Sequence, residues 1–278
     1  MFTTLVSTAV LASHMDDPVI VDCRFRLDDE TWGEREYRAA HIPGAVYADL
    51  NGDLSGPRSG TNGRHPLPDP EALSQTLGRL GIASRVQVIA YDQDNGSWAS
   101  RLWWLLRWMG HEAVAVLDGA FAKWIAEGRP TAGGVEQRPA RVFVGIPRTG
   151  MTVDVGAVVS RLGSREWRLV DARAPERYRG EKEPIDRTPG HIPGAVNHFF
   201  GGNLAADNTF HTPEELRAQF APAIGGMPAD HVICYCGSGV TACHNLLAME
   251  HAGIRGAKLY AGSWSEWSAD PSRPVEKG

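Results

Sequence analysis

The stretch AHIPGAV (40–46) returns as GHIPGAV (190–196), and this repetition decides the fold. Each copy follows a short β-branched run, VIVDCR (19–24) in one case and RLVDAR (168–173) in the other. Further along, VQVIAYD (86–92) answers DHVICYC (230–236), and LDGAFAKW (117–124) answers YAGSWSEW (260–267). The spacing between copies drifts from 150 residues (His41 to His191) to 143 (Trp124 to Trp267), with the order kept. Constant order with a drifting offset is the signature of a duplicated domain with loop insertions; two repeats of this size make neighbouring domains and not a solenoid.

Within each copy, short buried-strand patterns alternate with helical ones. VIVDCR, VQVIAY and AVAVLD read as strands, and WASRLWWLLRWMG reads as a helix with apolar residues at three- and four-residue spacing. RLVDAR, HVICY and AKLYAG repeat the pattern around the helix TACHNLLAMEHAG. The expected class is α/β, two tandem domains, each a mainly parallel sheet flanked by helices. The division is an N-terminal domain over 1–130, a linker over 131–150 containing the Gly- and Pro-rich TAGGVEQRPA, and a C-terminal domain over 151–278. The opening MFTTLVSTAVLASHM lacks the basic residues of a signal peptide and reads as a short helix, with Ser7 or Thr8 as N-cap and Val10 and Leu11 facing inward.

At 278 residues, with 42% hydrophobic and 22% charged residues, the composition is that of a globular protein. A net charge of −5 gives no reason to expect nucleic acid or an anionic membrane as partner, and no apolar run reaches a membrane span. Three of the four cysteines crowd into ten residues (Cys234, Cys236, Cys243), too close for a disulfide framework, so a reducing compartment, the cytoplasm, is expected.

Sheets of this kind carry their sites where strands run into helices. That directs attention to CYCGSGVTACHN (234–245). Gly237 and Gly239 let successive N–H groups curl toward Cys236, and the helix starting near Thr241 adds its own unpaired N–H groups. A thiolate there is stabilised and nucleophilic, and the same cradle suits a persulfide. The first copy has Asp92 at the position of Cys236, so one catalytic domain and one without the thiol are expected. Cys23, Cys234 and Cys243 read as small buried hydrophobes. No second Cys/His pair stands at zinc-ligand spacing beside the CxC pair, and neither metal nor organic cofactor is expected. His41 and His191 recur in both copies and are assigned to the fold.

The paired HIPGAV motifs, the VDAR strand and the CGSGVTA loop resemble the rhodanese superfamily in its tandem form, over essentially the whole chain. The resemblance implies a sulfurtransferase that carries sulfur on Cys236 as a persulfide, with a thiol such as thioredoxin, a small thiol or cyanide as acceptor. The uncharged loop Gly237-Ser238-Gly239-Val240 is similar to that of 3-mercaptopyruvate sulfurtransferases; thiosulfate sulfurtransferases carry cations there, suited to a dianion, and remain the alternative. By the same resemblance Arg177 and Arg187 would grip the donor's carboxylate, with Gly237, Gly239, Val240 and Thr241 forming its cradle. Ser238 and His65 would belong to a relay whose acid position is occupied by Asn51, with Asp49 and Asp53 nearby. Phosphatase chemistry would need an arginine six positions after the cysteine, where Ala242 stands. A non-catalytic persulfide carrier is the remaining rival.

Overall fold

The computed structural model describes residues 1–13 and 18–278. The chain forms two compact units, one of Met1–Gly56, Pro68–Arg148 and Ala205–Phe210, the other of Pro57–Leu67, Thr149–Leu204 and His211–Gly278. The segment Pro57–Leu67 thus lies in the first repeat by sequence and in the second unit by structure.

The first unit runs β1 (Leu5–Ser7), α1 (Thr8–Ser13), β2 (Val19–Asp22), α2 (Trp32–Ala39), β3 (Val46–Tyr47), α3 (Pro70–Arg79), β4 (Val88–Tyr91), α4 (Ala99–Trp108), β5 (Val114–Asp118) and α5 (Ala120–Ala126). Its five strands pair in the order β1-β5-β4-β2-β3, all parallel. The second unit repeats this with β6 (Thr152–Val153), α6 (Val155–Val159), β7 (Arg168–Asp171), α7 (Pro175–Tyr178), β8 (Val196–Asn197), α8 (Pro213–Ile224), β9 (Val232–Tyr235), α9 (Thr241–His251), β10 (Lys258–Tyr260) and α10 (Ser263–Trp267). Its order, β6-β10-β9-β7-β8, is the same topology, again parallel throughout. The central strands VIAY and VICY are buried at every position, as expected of strands covered on both faces.

The two cores share five equivalent positions. Ile42, Ala45, Ile89, Tyr91 and Trp124 pack in one, and Ile192, Ala195, Ile233, Tyr235 and Trp267 in the other. The repeated motifs have physical reasons. Arg24 clasps Asp22 through Nε and Nη2 and donates to the Ala40 carbonyl at 2.6 Å; Arg173 does the same with Asp171 and the Gly190 carbonyl at 2.7 Å. Each buried ion pair is therefore satisfied by further hydrogen bonds, without which it would be costly. His41 and His191 stack on Tyr37 and Tyr178, and each ring Nδ1 lies 2.7 Å from that tyrosine's carbonyl oxygen. Trp124 and Trp267 donate Nε1–H to the carbonyls of Pro130 and Pro274, which ties down the end of each repeat.

One expectation is corrected. The opening is not helix alone: Leu5–Ser7 forms an edge strand on β5, and the helix begins only at Thr8. Three residues are too few for periodicity to separate strand from helix. Ser7 does cap the turn, its Oγ accepting from the Val10 N–H at 3.3 Å, and Leu11 is buried. Residues 14 and 15 of that stretch lie outside the described residues. The Gly- and Pro-rich stretch after Pro130 is held against the first unit. Ala132 bridges to His41, Gly134 N–H donates to the Arg38 carbonyl, and Phe143 is buried within the first unit. Among the described residues no helix is long and apolar enough to cross a membrane.

Candidate active site

Strand β9 ends at Tyr235 and α9 begins at Thr241, so residues 236–240 make the turn between them. Gly239 adopts φ +76, and a Cβ there would stand 2.3 Å from the Ala261 carbonyl oxygen, so glycine is required on both counts. The Gly239 N–H points at the Cys236 sulfur, 3.2 Å away. Cys236 is 2% exposed and Val240, beside it, is buried. The loop is braced from α10: Trp264 and Ser265 N–H groups donate to the carbonyls of Cys236 and Gly237 at 2.9 and 2.8 Å. Ser263, held at φ +54, presents its Oγ to the Cys236 N–H at 3.1 Å.

The segment 57–67 brings two further side chains to this loop. His65, 1% exposed, places Nδ1 2.7 Å from Ser238 Oγ. Its neighbour Arg64 is held by its own N–H on Ser265 Oγ (3.0 Å) and by an ion pair with Asp186. A Cβ on Gly237 would stand 2.9 Å from Arg64 Nη2 and 3.7 Å from both terminal nitrogens of Arg177. Two guanidinium groups therefore lie over the loop at Gly237. Arg177 pairs with Glu183 at 2.7 Å and Asp186 at 3.2 Å, and Glu183 also reaches Arg173 at 3.3 Å. Burial works against the charge on Glu183, yet Arg177 and the N–H groups of Asp186 and Ile185 hold its carboxyl below the usual range. For Asp186 burial prevails, and its carboxyl is pushed up despite Arg64 and Arg177.

The loop singled out in the sequence thus gathers Cys236, Ser238, His65 and Arg177. Arg187 lines the wall of a cavity shared with Arg58, Arg64 and Asp186. Asp49 accepts from the Gly52 N–H and Asp53 pairs with Arg79 within the first unit. Sequence reading missed Arg64, Glu183, Asp186 and Ser263. Only the last left a usable sign, since the first copy has Ala120 at the position of Ser263.

The first unit shows what the same turn does with a carboxylate. Phe121 and Ala122 N–H groups brace it at the carbonyls of Asp92 and Gln93, and Ala120 has φ +55. The Asp92 side chain turns back into the loop and accepts from the N–H groups of Asp94, Gly96, Trp98 and Ala99. It is fully buried, and burial pushes its carboxyl up to about 6. The other three cysteines are free thiols buried in the cores; burial drives Cys23 and Cys234 up, away from the reactive thiolate.

Comparison with known proteins agrees with this duplication. The Rhodanese-like domain family matches residues 7–127 and again 154–270. A Pseudomonas aeruginosa protein named "Probable 3-mercaptopyruvate sulfurtransferase" is 46% identical over 99% of this chain and 98% of its own length. The thiosulfate sulfurtransferase of Rattus norvegicus is 34% identical over 100% of this chain and 97% of its own. The 3-mercaptopyruvate sulfurtransferase structure from Leishmania major superposes with a TM-score of 0.84 at 29% identity, covering 96% of this chain and 74% of that one. With both repeats matched and the fold shared, the chain belongs to the rhodanese-like family, as two such domains in tandem.

Proposed function

We propose that the protein is a 3-mercaptopyruvate sulfurtransferase. The observation that carries this reading is the pair of guanidinium groups, Arg64 and Arg177, beside a cysteine loop that has no cation of its own. A donor with a carboxylate at one end and a thiol at the other can be held by the first and attacked by the second. The Cys236 thiolate attacks the donor sulfur; a sulfur–sulfur bond forms, the carbon–sulfur bond breaks, and its electron pair leaves on the methylene carbon as pyruvate enolate. Protonation gives pyruvate and leaves a Cys236 persulfide. The Gly239 N–H, with Gly237, Val240 and Thr241 completing the turn, stabilises charge on the sulfur. Ser238, bonded to His65, supplies a hydroxyl to the developing enolate and a route for its proton. A thiol, small or protein-borne such as thioredoxin, or cyanide, then takes the outer sulfur. The free thiols are in keeping with a reducing compartment, the cytoplasm.

Thiosulfate is the second reading, favoured by the name of the rat relative. The test is kcat/KM for each donor with cyanide as acceptor. The expected result is a preference for 3-mercaptopyruvate of about 100-fold or more, two charge-assisted contacts being at stake. A preference for thiosulfate would reverse the donor assignment.

A further inference from the structure

The two guanidinium groups beside the cysteine loop are each held by carboxylates from one side only. Arg64 gives Nη1 to Asp186 Oδ1, and Arg177 gives Nη2 to Glu183 at 2.7 Å and to Asp186 Oδ2 at 3.2 Å. Asp186 thus bridges the pair, one oxygen on each, and its own N–H is fixed on Glu183 Oε1 at 3.0 Å. The two carboxylates are buried, with side chains 6% and 2% exposed for Asp186 and Glu183. Arg64 Nη2 and Arg177 Nη1, which meet the loop at Gly237, have no hydrogen-bond partner among the described residues.

The charges behind these free nitrogens cancel. Arg64, Arg173 and Arg177 stand in one connected set of ion pairs with Asp171, Glu183 and Asp186, three cations against three anions. Arg58 and Arg187 lie further out, exposed to water and salt, which screen them. A ligand at Gly237 therefore meets N–H donors from two arginines but little uncompensated positive charge. One carboxylate can accept from both. A second negative charge would give up its water with no counter-charge to meet it. At neutral pH 3-mercaptopyruvate carries one negative charge, its thiol being mostly protonated, whereas thiosulfate carries two.

We infer that Asp186, backed by Glu183, sets the charge of the donor, leaving the two arginines fit for a single carboxylate and poorly matched to a dianion. The inference rests on the sulfurtransferase reading above. Asp186 acts through Arg64 and Arg177, and its role is to determine specificity.

The test is kcat/KM for 3-mercaptopyruvate and for thiosulfate, with cyanide as acceptor, in wild type and in Asp186→Asn, Asp186→Glu and Glu183→Gln. In ping-pong kinetics each value reports the donor half-reaction alone. Asp186→Asn keeps the shape and removes the charge. It should raise the ratio of thiosulfate to 3-mercaptopyruvate about tenfold, the scale of one unit charge in a partly screened site, and the gain should shrink as salt is raised. Glu183→Gln should move the ratio the same way, and Asp186→Glu should return it to near the wild-type value. Arginines that merely came loose would lower both donors together, so an unchanged ratio in Asp186→Asn and Glu183→Gln would overturn the inference. A ratio moved toward 3-mercaptopyruvate would do the same. The mass of wild type after each donor reads the underlying activity separately: added sulfur from neither would remove the sulfurtransferase reading itself.

Discussion

Two turns in this molecule share a backbone and differ in what they hold. In both, a buried strand runs into a helix, and the next strand–helix turn braces the loop through two N–H groups. In the first unit Asp92 supplies the anion itself, and four N–H groups are spent on it. In the second, Cys236 takes the same place with a single N–H on its sulfur, and Ser263 holds its backbone where the first unit has Ala120. The lesson is that an anion-binding turn is a property of the fold, while its use depends on whether the anion is a fixed side chain or a group that reacts and leaves.

The largest effect should come from exchanging these two side chains. Cys236→Ser is expected to lower turnover by about three orders of magnitude or more, with loss of the added sulfur in the protein's mass spectrum. Adding Asp92→Cys to that variant should restore nothing, because a thiol alone does not bring Ser238, His65 and the two arginines with it. Recovery of activity would break the comparison. Next in size, Arg64→Gln should reduce kcat/KM for 3-mercaptopyruvate about 100-fold, the scale of losing a partly buried charge contact. A loss confined to the acceptor would show that Arg177 holds the donor unaided.

The smallest effect concerns stability. Because burial pushes the Asp92 carboxyl up to about 6, above its value of about 3.9 in an unfolded chain, the folded state holds its proton more tightly. The resulting stabilisation is complete below about pH 3.9 and is lost as pH rises through about 6. Asp92→Asn should flatten the dependence of unfolding free energy on pH across this window, by about 2 kcal/mol. Denaturant titrations at pH 4, 5 and 6.5 on both proteins would reveal an unaltered slope if the N–H groups outweigh burial.

Much of this was legible in the chain because duplication makes each repeat a reading of the other. The paired HIPGAV segments, the buried strands and the substitution of Asp92 for Cys236 need only alignment and periodicity. His65 and Arg177 were found through resemblance, and the structure sets His65 on Ser238 and Arg177 beside Gly237. What escaped depends on where loops go. Arg64 adjoins His65 in sequence, but nothing in the order Arg64-His65-Pro66 tells that its guanidinium ends over Gly237. Glu183 and Asp186 look like solvated charges until Arg64, Arg173 and Arg177 are seen around them. The strand Leu5–Ser7 is too short to have a period of its own.

The segment Pro57–Leu67 has a consequence for how such a protein can change. A gene cut between the repeats, after Arg148, would yield a second product with the cysteine, its turn and Arg177, but without Arg64 and His65. The ancestral doubling has in this sense become irreversible. Each half still carries a complete sheet, yet the half without the thiol encodes side chains that the other lacks, and neither can be inherited alone without loss.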